Sequence, residues 1–584
     1  MKAVFALLRA TLAFLPMLLT GWRLDRRASR AKVIGTLRLS GGLSEESGGG
    51  AGLPGRGSRP LFDLLRLLRL AGEDASVRGV ALRIGALEAG WAQLEEVRDE
   101  IAELRRRGRV VFAYLDRPGH HELFLAAACD HVTIAPLASL DVVGLRAEVT
   151  FVRDALGKAG VKPHFEAAGE YKSYGETFTR DSMSPEHRES LDLVLRGVHD
   201  GFVAAVGSGR GLEADAVQAL VDSGPHSAEE AAEHGLIDAV LYPDGWRRHM
   251  RRALGDTVAE PGEELAGVTP RKQRHRVLNL GGWLGPNLTH RWLRRLVAPK
   301  KAVVVLALEG SIVDSDQPYV RAGRIAPRPT SSTLKALRTD DDVAAVVLRV
   351  NSPGGSGLAS DMMWRELKRL AAKKPLVVSM GNVAASGGYY LAMAGDEILA
   401  DPLTITGSIG VVAGKFEISE LLGKLGIQRD VLSYGANSGM NSLTTGWTDA
   451  ERVRLREHIE GFYAAFVGKA AQSRGVEYDE LAKHAEGRIW TGTQALERGL
   501  IDALGSTQDA VRRAAVRAKL GSDYDVWLAE AARPGWWERL RSLPLSAEAR
   551  VMARIEATLE HQLGVQGLSG DGIQARMPFG LRIR

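Results

Sequence analysis

Apolar residues are grouped along the chain in two ways. The runs Val343–Val350 and Leu376–Met380 are rich in β-branched residues, too short for helices, and stopped by Gly, Pro or Asn, so they predict buried strands. Between them Leu358–Lys374 has the length of one helix. Lys32–Ser40 predicts a further strand, Leu61–Leu70 a helix with Arg66 and Arg69 on its polar side, and the run from Lys300 repeats the Lys32 strand in stronger form. Each of the two central strands delivers a glycine-rich turn. The first reads N-S-P-G-G-S over 351–356, and the second sets Ser386 between Ala385 and Gly387. Strand, turn and helix in this order are how α/β proteins expose a reactive side chain and free backbone N–H groups at the end of a sheet.

The pattern occurs twice. Adding 266 to the residue number carries V-R-G-V-A-L-R-I at 77–84 onto V-A-A-V-V-L-R-V at 343–350 without a gap. The same offset carries Val110–Tyr114 onto Leu376–Met380, Leu125–Asp130 onto Leu391–Asp396, Pro136 onto Pro402 and Gly144 onto Gly410. Each half closes alike, with G-L-I-D-A-V at 235–240 and G-L-I-D-A-L at 499–504. A fixed offset held over this length predicts two copies of one fold. The columns that differ are informative. Asn351–Gly355 stand opposite Gly85–Ala89, and Ser386-Gly387-Gly388 opposite His120-His121-Glu122. The first half keeps the scaffold and lacks both glycine turns.

Length allows roughly two to four domains, and a 45% hydrophobic composition is ample for their cores. The net charge of +5 is small for 584 residues, and the arginine clusters at 105–109, 247–252 and 291–295 read as solvated helix faces, so nucleic acid is not an expected partner. One cysteine, Cys129, rules out an intrachain disulfide. Residues 10–21 are uncharged, and with Val4–Leu8 they form a hydrophobic stretch broken by Arg9 and trailed by arginines at 23, 26, 27 and 30. This predicts an uncleaved N-terminal membrane anchor, spanning or interfacial. The basic residues after it argue against translocation of the C-terminal side.

The paired glycines Gly354-Gly355 and Gly387-Gly388 let backbone N–H groups point into a cleft beside Ser386, as an oxyanion hole requires. The turn at Thr406–Gly410, with Ser408, is expected to line the same cleft. A serine nucleophile needs a base. His458 and His484 lie in helix-like, charged surroundings and are poor candidates, whereas a lysine desolvated against the sheet would serve. Lys415 and Lys424 are candidates in the second half; Lys172, in G-E-Y-K-S-Y, is the candidate in the first. The column of Lys172 in the second half is Ser438. The half with the serine therefore lacks the lysine, and the half with the lysine lacks the serine, which suggests one composite site. The ring pair His120-His121 is not spaced as metal ligands, and no cofactor is called for.

With N-S-P-G-G-S at 351–356, G-N-V-A-A-S-G-G-Y-Y at 381–390, D-P-L-T-I-T-G-S-I-G-V at 401–411 and Y-K-S at 171–173, the chain resembles the long, duplicated bacterial signal peptide peptidases of the SppA type, peptidase S49. The resemblance covers roughly residues 33–240 and 300–505. It implies tandem α/β domains of the crotonase and Clp protease fold, a ββα superhelix. It also implies Ser386 as nucleophile, Lys172 as general base, and oxyanion stabilisation by backbone N–H groups around Gly354, Gly355 and Gly387. It further implies a bacterial inner-membrane protein with its bulk in the periplasm, a homotetramer, and hydrophobic peptides such as remnant signal peptides as substrates. The expected organisation is an anchor over 1–31, a first repeat over 32–240, a connector over 241–299, a second repeat over 300–505 and a helical, basic tail over 506–584. Two alternatives stand beside the peptidase: a crotonase-like acyl-CoA hydratase or hydrolase, which would use a Glu or Asp base, and an inactive peptide-binding scaffold at the membrane.

Overall fold

The computed structural model describes residues 2–28, 32–45, 59–256, 258, 275–298, 300–315, 323–530 and 574–576. The chain forms two compact units. Unit 1 comprises Met1–Gly144 and His199–Lys301, and unit 2 comprises Leu145–Val198 and Ala302–Arg584. Residues 145–198, which belong to the first repeat in sequence, are thus part of unit 2.

Unit 1 is built on a six-stranded sheet. Its order is Ala239–Val240, His131–Ile134, Val110–Leu115, Val77–Leu87, Lys32–Gly41, His275–Asn279, and every pairing is parallel. Unit 2 carries the same path: Ala503–Leu504, Glu397–Ala400, Leu376–Ala385, Val343–Ser352, Ala302–Glu309, Asp525–Glu530, again parallel throughout. Parallel strands are covered on both faces, which is why these runs read as near-continuous β-branched segments rather than alternating ones. In both sheets the edge strand beside the first strand of the repeat comes from a stretch where the two sequences no longer align: His275–Asn279 in one, Asp525–Glu530 in the other. The helix Thr507–Arg517 packs on the strands Val343–Ser352 and Leu376–Ala385. Residues 531–573 and 577–584 of the expected tail lie outside the described residues.

The two site-bearing strands are longer than their apolar runs predict. Leu376–Met380 continues to Ala385, because Val383, Ala384 and Ala385 pair with Ile405, Thr406 and Gly407 and so carry the strand past Gly381-Asn382. Val343–Val350 continues to Ser352. The core of unit 2 gathers Leu306, Val346, Leu348, Met380, Tyr389, Leu391 and Phe466 under these strand ends. A second sheet of unit 2 runs in the order Arg324–Ile325, Ser311–Ile312, Gly354–Ser356, Gln574–Arg576, Val411–Glu417, Lys162–Ala168. Its last pairing is antiparallel and seven residues long, from Val411 opposite Ala168 to Glu417 opposite Lys162.

The N-terminal segment corrects an expectation. It forms a helix, Lys2–Ala28, with Pro16 inside it. Among the described residues no helix is long and apolar enough to cross a membrane. The uncharged run Ala10–Trp22, between Arg9 and Arg23, makes only about 20 Å of helix against a hydrocarbon core about 30 Å thick. The helix instead lies along Leu280–Val297, with the Thr20 hydroxyl 3.1 Å from Nδ1 of His290. The expected anchor is therefore withdrawn, and with it the membrane as a partner and the inner-membrane, periplasm-facing location.

Candidate active site

Ser386 comes directly after the strand Leu376–Ala385 and opens the helix Gly387–Ala392. Its backbone has φ 56° and ψ −115°, a left-handed conformation that costs a residue with a side chain about 1–3 kcal/mol. Two backbone bonds hold it there: its N–H donates to the Gly407 carbonyl at 2.8 Å, and its carbonyl accepts from Tyr390 N–H at 2.9 Å. The side chain is fully buried.

Lys172 comes from the turn after the strand Lys162–Ala168. Its N–H donates to the Gly169 carbonyl, and the neighbouring Tyr171 N–H donates to the Glu486 carbonyl at 2.7 Å, which fixes the turn against the 486–488 loop. The lysine is buried, 4% exposed, and Nζ lies 2.8 Å from Oγ of Ser386. Nζ also lies 3.0 Å from the carbonyl oxygen of Ser408 and 3.0 Å from its hydroxyl oxygen. Both residues belong to unit 2. Burial alone pushes the ammonium pKa of Lys172 well below its ordinary 10.5, with no carboxylate contributing. In the neutral amine the two N–H groups suit the two oxygens of Ser408, which leaves the lone pair facing the Ser386 hydroxyl.

Ser408 itself sits at φ 52° in a turn whose N–H donates to the Arg488 carbonyl at 2.6 Å. The glycine turns close the arrangement. At Gly355, with φ 150°, a Cβ would stand 1.9 Å from the Ile312 carbonyl oxygen; at Gly388 it would stand 2.5 Å from that of Ser352. Gly354 N–H donates to Oγ of Ser352 at 3.2 Å. Gly387 and Gly388 begin the helix, where the first N–H groups lack intrahelical acceptors.

The other candidate bases lie elsewhere. Nζ of Lys415 donates to the carbonyls of Gly439 and Met440 at 3.2 and 3.0 Å. Lys424 pairs with Glu420 at 3.1 Å and donates to the Lys158 carbonyl. His458 is exposed, and His484 packs edge-on to Trp490. Ile409, Val411 and Val412, which follow Ser408, are each packed into a core.

Several supporting residues carry little or no sequence signal. Arg349, 2% exposed, lies 3.7 Å from Asp401 and donates to Oγ of Ser379 and the Met380 carbonyl at 2.9 and 2.8 Å, bracing the two central strands. Asn351 accepts from Val383 N–H at 3.2 Å and ties the two turns together. Ser352 touches both glycine pairs: its hydroxyl accepts from Gly354 N–H, and its carbonyl oxygen fills the place a Cβ at Gly388 would need. The signal for the last two is the N-S of N-S-P-G-G. Arg349 has none, since its counterpart Arg83 pairs with Asp116 while 44% exposed.

A serine at a strand-to-helix turn with a buried amine on its hydroxyl is the arrangement of serine hydrolases that use a lysine base. The model of peptidase family S49 matches the chain twice, over residues 103–255 and 368–521, at about the spacing of the internal repeat. The chloroplastic serine protease SPPA of Arabidopsis thaliana is 32% identical over 511 residues, 87% of this chain and 72% of that one. Protease 4 of Salmonella typhi is 28% identical over 79% of this chain and 72% of its own length, and Protease 4 of Haemophilus influenzae 29% over 82% and 76%. A solved ClpP1 mutant from Listeria monocytogenes aligns over 38% of this chain with TM-score 0.24 and 13% identity, too slight a likeness to bear on function. The chain belongs to peptidase family S49, with the duplicated organisation of the long SppA type. It is a serine peptidase acting on peptide substrates.

Proposed function

We propose that the peptidase reaction is carried by Ser386 as nucleophile and Lys172 as general base, and that the substrates are hydrophobic peptides such as remnant signal peptides. The observation that supports the dyad is the 2.8 Å approach of Nζ to Oγ inside a buried site where desolvation favours the neutral amine. The amine of Lys172 takes the hydroxyl proton as Oγ attacks the scissile carbonyl. The tetrahedral oxyanion is held by backbone N–H groups at the Gly387 helix start and at Gly355, the Gly354 N–H being taken by Oγ of Ser352. The ammonium of Lys172 then gives its proton to the departing amine, leaving an ester on Ser386. Water, deprotonated by the same amine, adds to the ester, and its collapse returns the proton to Oγ. Ser408 keeps the lysine aligned through both half-reactions.

The acyl-CoA alternative needs a carboxylate base, and among the described residues the hydrogen-bond partners of Nζ are Ser386 and Ser408. The test is cleavage of a hydrophobic fluorogenic peptide by wild type, Ser386→Ala and Lys172→Ala, with fluorophosphonate labelling in parallel. Loss of both activity and label in folded Ser386→Ala supports the assignment; retention of either sinks it.

A further inference from the structure

Among the described residues, four other than glycine have a positive φ: Ser386, Ser408, Glu486 and Lys519. The first two are at the site. Glu486, at φ 57°, lies in the loop that packs behind the Lys172 turn. A left-handed backbone costs a residue with a Cβ about 1–3 kcal/mol and persists only where the surroundings hold it. Glu486 is held from two sides. Its N–H donates to the hydroxyl oxygen of Tyr463, on the helix Asp449–Arg474, at 3.2 Å, and its carbonyl accepts from Tyr171 N–H at 2.7 Å. The carboxylate spans the same gap: Oε1 accepts from the Tyr463 hydroxyl at 3.1 Å, and Oε2 accepts from Glu170 N–H at 3.1 Å. A glycine would take this φ without strain and keep both main-chain bonds. The carboxylate is what a glycine would lack.

The loop reaches both groups that fix Nζ. On one side it meets the Lys172 turn, backbone against backbone: a Cβ at Gly487 would stand 2.6 Å from the Lys172 nitrogen, and one at Gly169 would stand 2.7 Å from the Glu486 carbonyl carbon. On the other side it meets the Ser408 turn, where Gly487 N–H donates to the Ile409 carbonyl at 2.8 Å and the Arg488 carbonyl accepts from Ser408 N–H at 2.6 Å. The side chain of Arg488 adds a second tie, its guanidinium 3.6 Å over the Tyr171 ring and its NH1 donating to Glu189 at 3.0 Å. The Tyr171 hydroxyl donates to the other Glu189 oxygen at 3.1 Å. All of these residues belong to unit 2. With contacts this close, a movement of the loop is passed to the lysine and to the oxygens that receive it.

We propose that Glu486 is a positioning residue for the reaction: its carboxylate, bridging the Tyr463 hydroxyl and Glu170 N–H, sets the turn that carries Lys172 and, through the same loop, the Ser408 turn that receives Nζ. The proposal rests on the reading of Lys172 as general base. Proton transfer between Oγ and Nζ depends on their 2.8 Å approach, and misplacement of a catalytic group acts on the rate of the chemical step rather than on substrate binding. Loosening the turn also admits water to the amine, which moves its pKa back toward that of an ordinary lysine.

The test measures kcat and KM on a hydrophobic fluorogenic peptide, the rate of fluorophosphonate labelling against pH, and Tm. The chains compared are wild type, Glu486→Gly, Glu486→Gln, Tyr463→Phe and the Glu486→Gly/Tyr463→Phe pair. Glu486→Gly, which relieves the strained φ, should lose about ten- to hundredfold in kcat with KM unchanged, and its labelling should rise about one pH unit higher than in wild type. Glu486→Gln keeps one oxygen for Tyr463 and should recover part of the loss. Tyr463→Phe should act in the same direction, and the pair should fall short of the product of the two single effects, because both break one bridge. Wild-type kcat and labelling profile in Glu486→Gly would overturn the proposal. So would a lowered Tm with an unmoved profile, the mark of a structural role alone, or full additivity in the pair. Lys172→Met, run alongside, separates the two readings. A labelling rise that survives in Lys172→Met sinks the base assignment itself, whereas a rise lost there but unmoved in Glu486→Gly removes only the role of Glu486.

Discussion

The turns at His120–Glu122 in unit 1 and Ser386–Gly388 in unit 2 occupy the same columns of the repeat and have opposite characters. In unit 1 the helix His120–Ala126 starts from Gly119 in an ordinary extended conformation. The Glu122 carboxylate accepts from Leu87 N–H at 2.7 Å and Gly119 N–H at 3.1 Å, and Nε2 of His120 accepts from Gly144 N–H at 3.0 Å. The local donors are thus used up by side chains. Burial pushes the His120 pKa down to about 4, so the ring stays neutral, and it raises that of Glu122. In unit 2 the column of Glu122 is Gly388, which has no side chain, the column of Leu87 is Pro353, which has no N–H, and the serine is held at a strained φ. One turn is stabilised by filling its donors. The other has no such side-chain acceptors and is held in a strained conformation, a trade expected at functional sites.

The largest effect expected from this contrast is that of Ser386→Ala, a loss in kcat of at least about 10⁴-fold, measured on a hydrophobic fluorogenic peptide. Adding His120→Ser and Glu122→Gly to that variant should restore nothing, because the column of Lys172 in the second repeat is Ser438; recovered turnover would break the comparison. Lys172→Ala should lose about 10²- to 10⁴-fold, and Lys172→Arg should not rescue it, since a guanidinium stays protonated.

Burial that lowers the Lys172 pKa has a cost in stability with a definite sign. Between that depressed value and 10.5 the unfolded chain holds a proton that the folded chain does not, so stability rises with pH across the window. Lys172→Met should therefore be inactive yet melt at higher temperature than wild type at neutral pH, with the gap closing as pH approaches 10.5. A lower Tm for Lys172→Met would mean that the lysine is a structural member of its pocket. The smallest effect is in unit 1. Glu122→Ala leaves the half-buried amides of Leu87 and Gly119 without this acceptor and should cost about 1–2 kcal/mol of stability, read by chemical denaturation, while kcat/KM stays at the wild-type value.

How much of the molecule is legible in its sequence depends on which interactions are local. The parallel strands and the two glycine turns are visible because β-branched runs and paired glycines report conformation residue by residue. The repeat adds long-range information, since columns that differ between copies, Ser386 against His120 and Lys172 against Ser438, mark where one copy has something to do. The ends of the strands are not legible: Gly381-Asn382 reads as a stop, yet pairing with Ile405–Gly407 carries the strand on to Ser386. The edge strands His275–Asn279 and Asp525–Glu530 also lie where the two sequences no longer align, and only the shared sheet order relates them. Arg349 is hidden because its exposed and buried versions look alike in sequence; the difference is Asp401, whose column in the first half is Ala135. The N-terminal helix departs from its expected role because hydrophobicity alone does not separate a helix that spans a membrane from one that packs along Leu280–Val297.

The central claim is that one buried amine activates one serine in unit 2. The most direct measurement is the rate of fluorophosphonate labelling against pH for wild type and Lys172→Met, with the labelled residue located by peptide mapping. The expected result is a single label on Ser386, with a rate that rises through a pKa well below that of an ordinary lysine and loses that rise in Lys172→Met. Label on any other residue, or the same pH profile in both proteins, would contradict it.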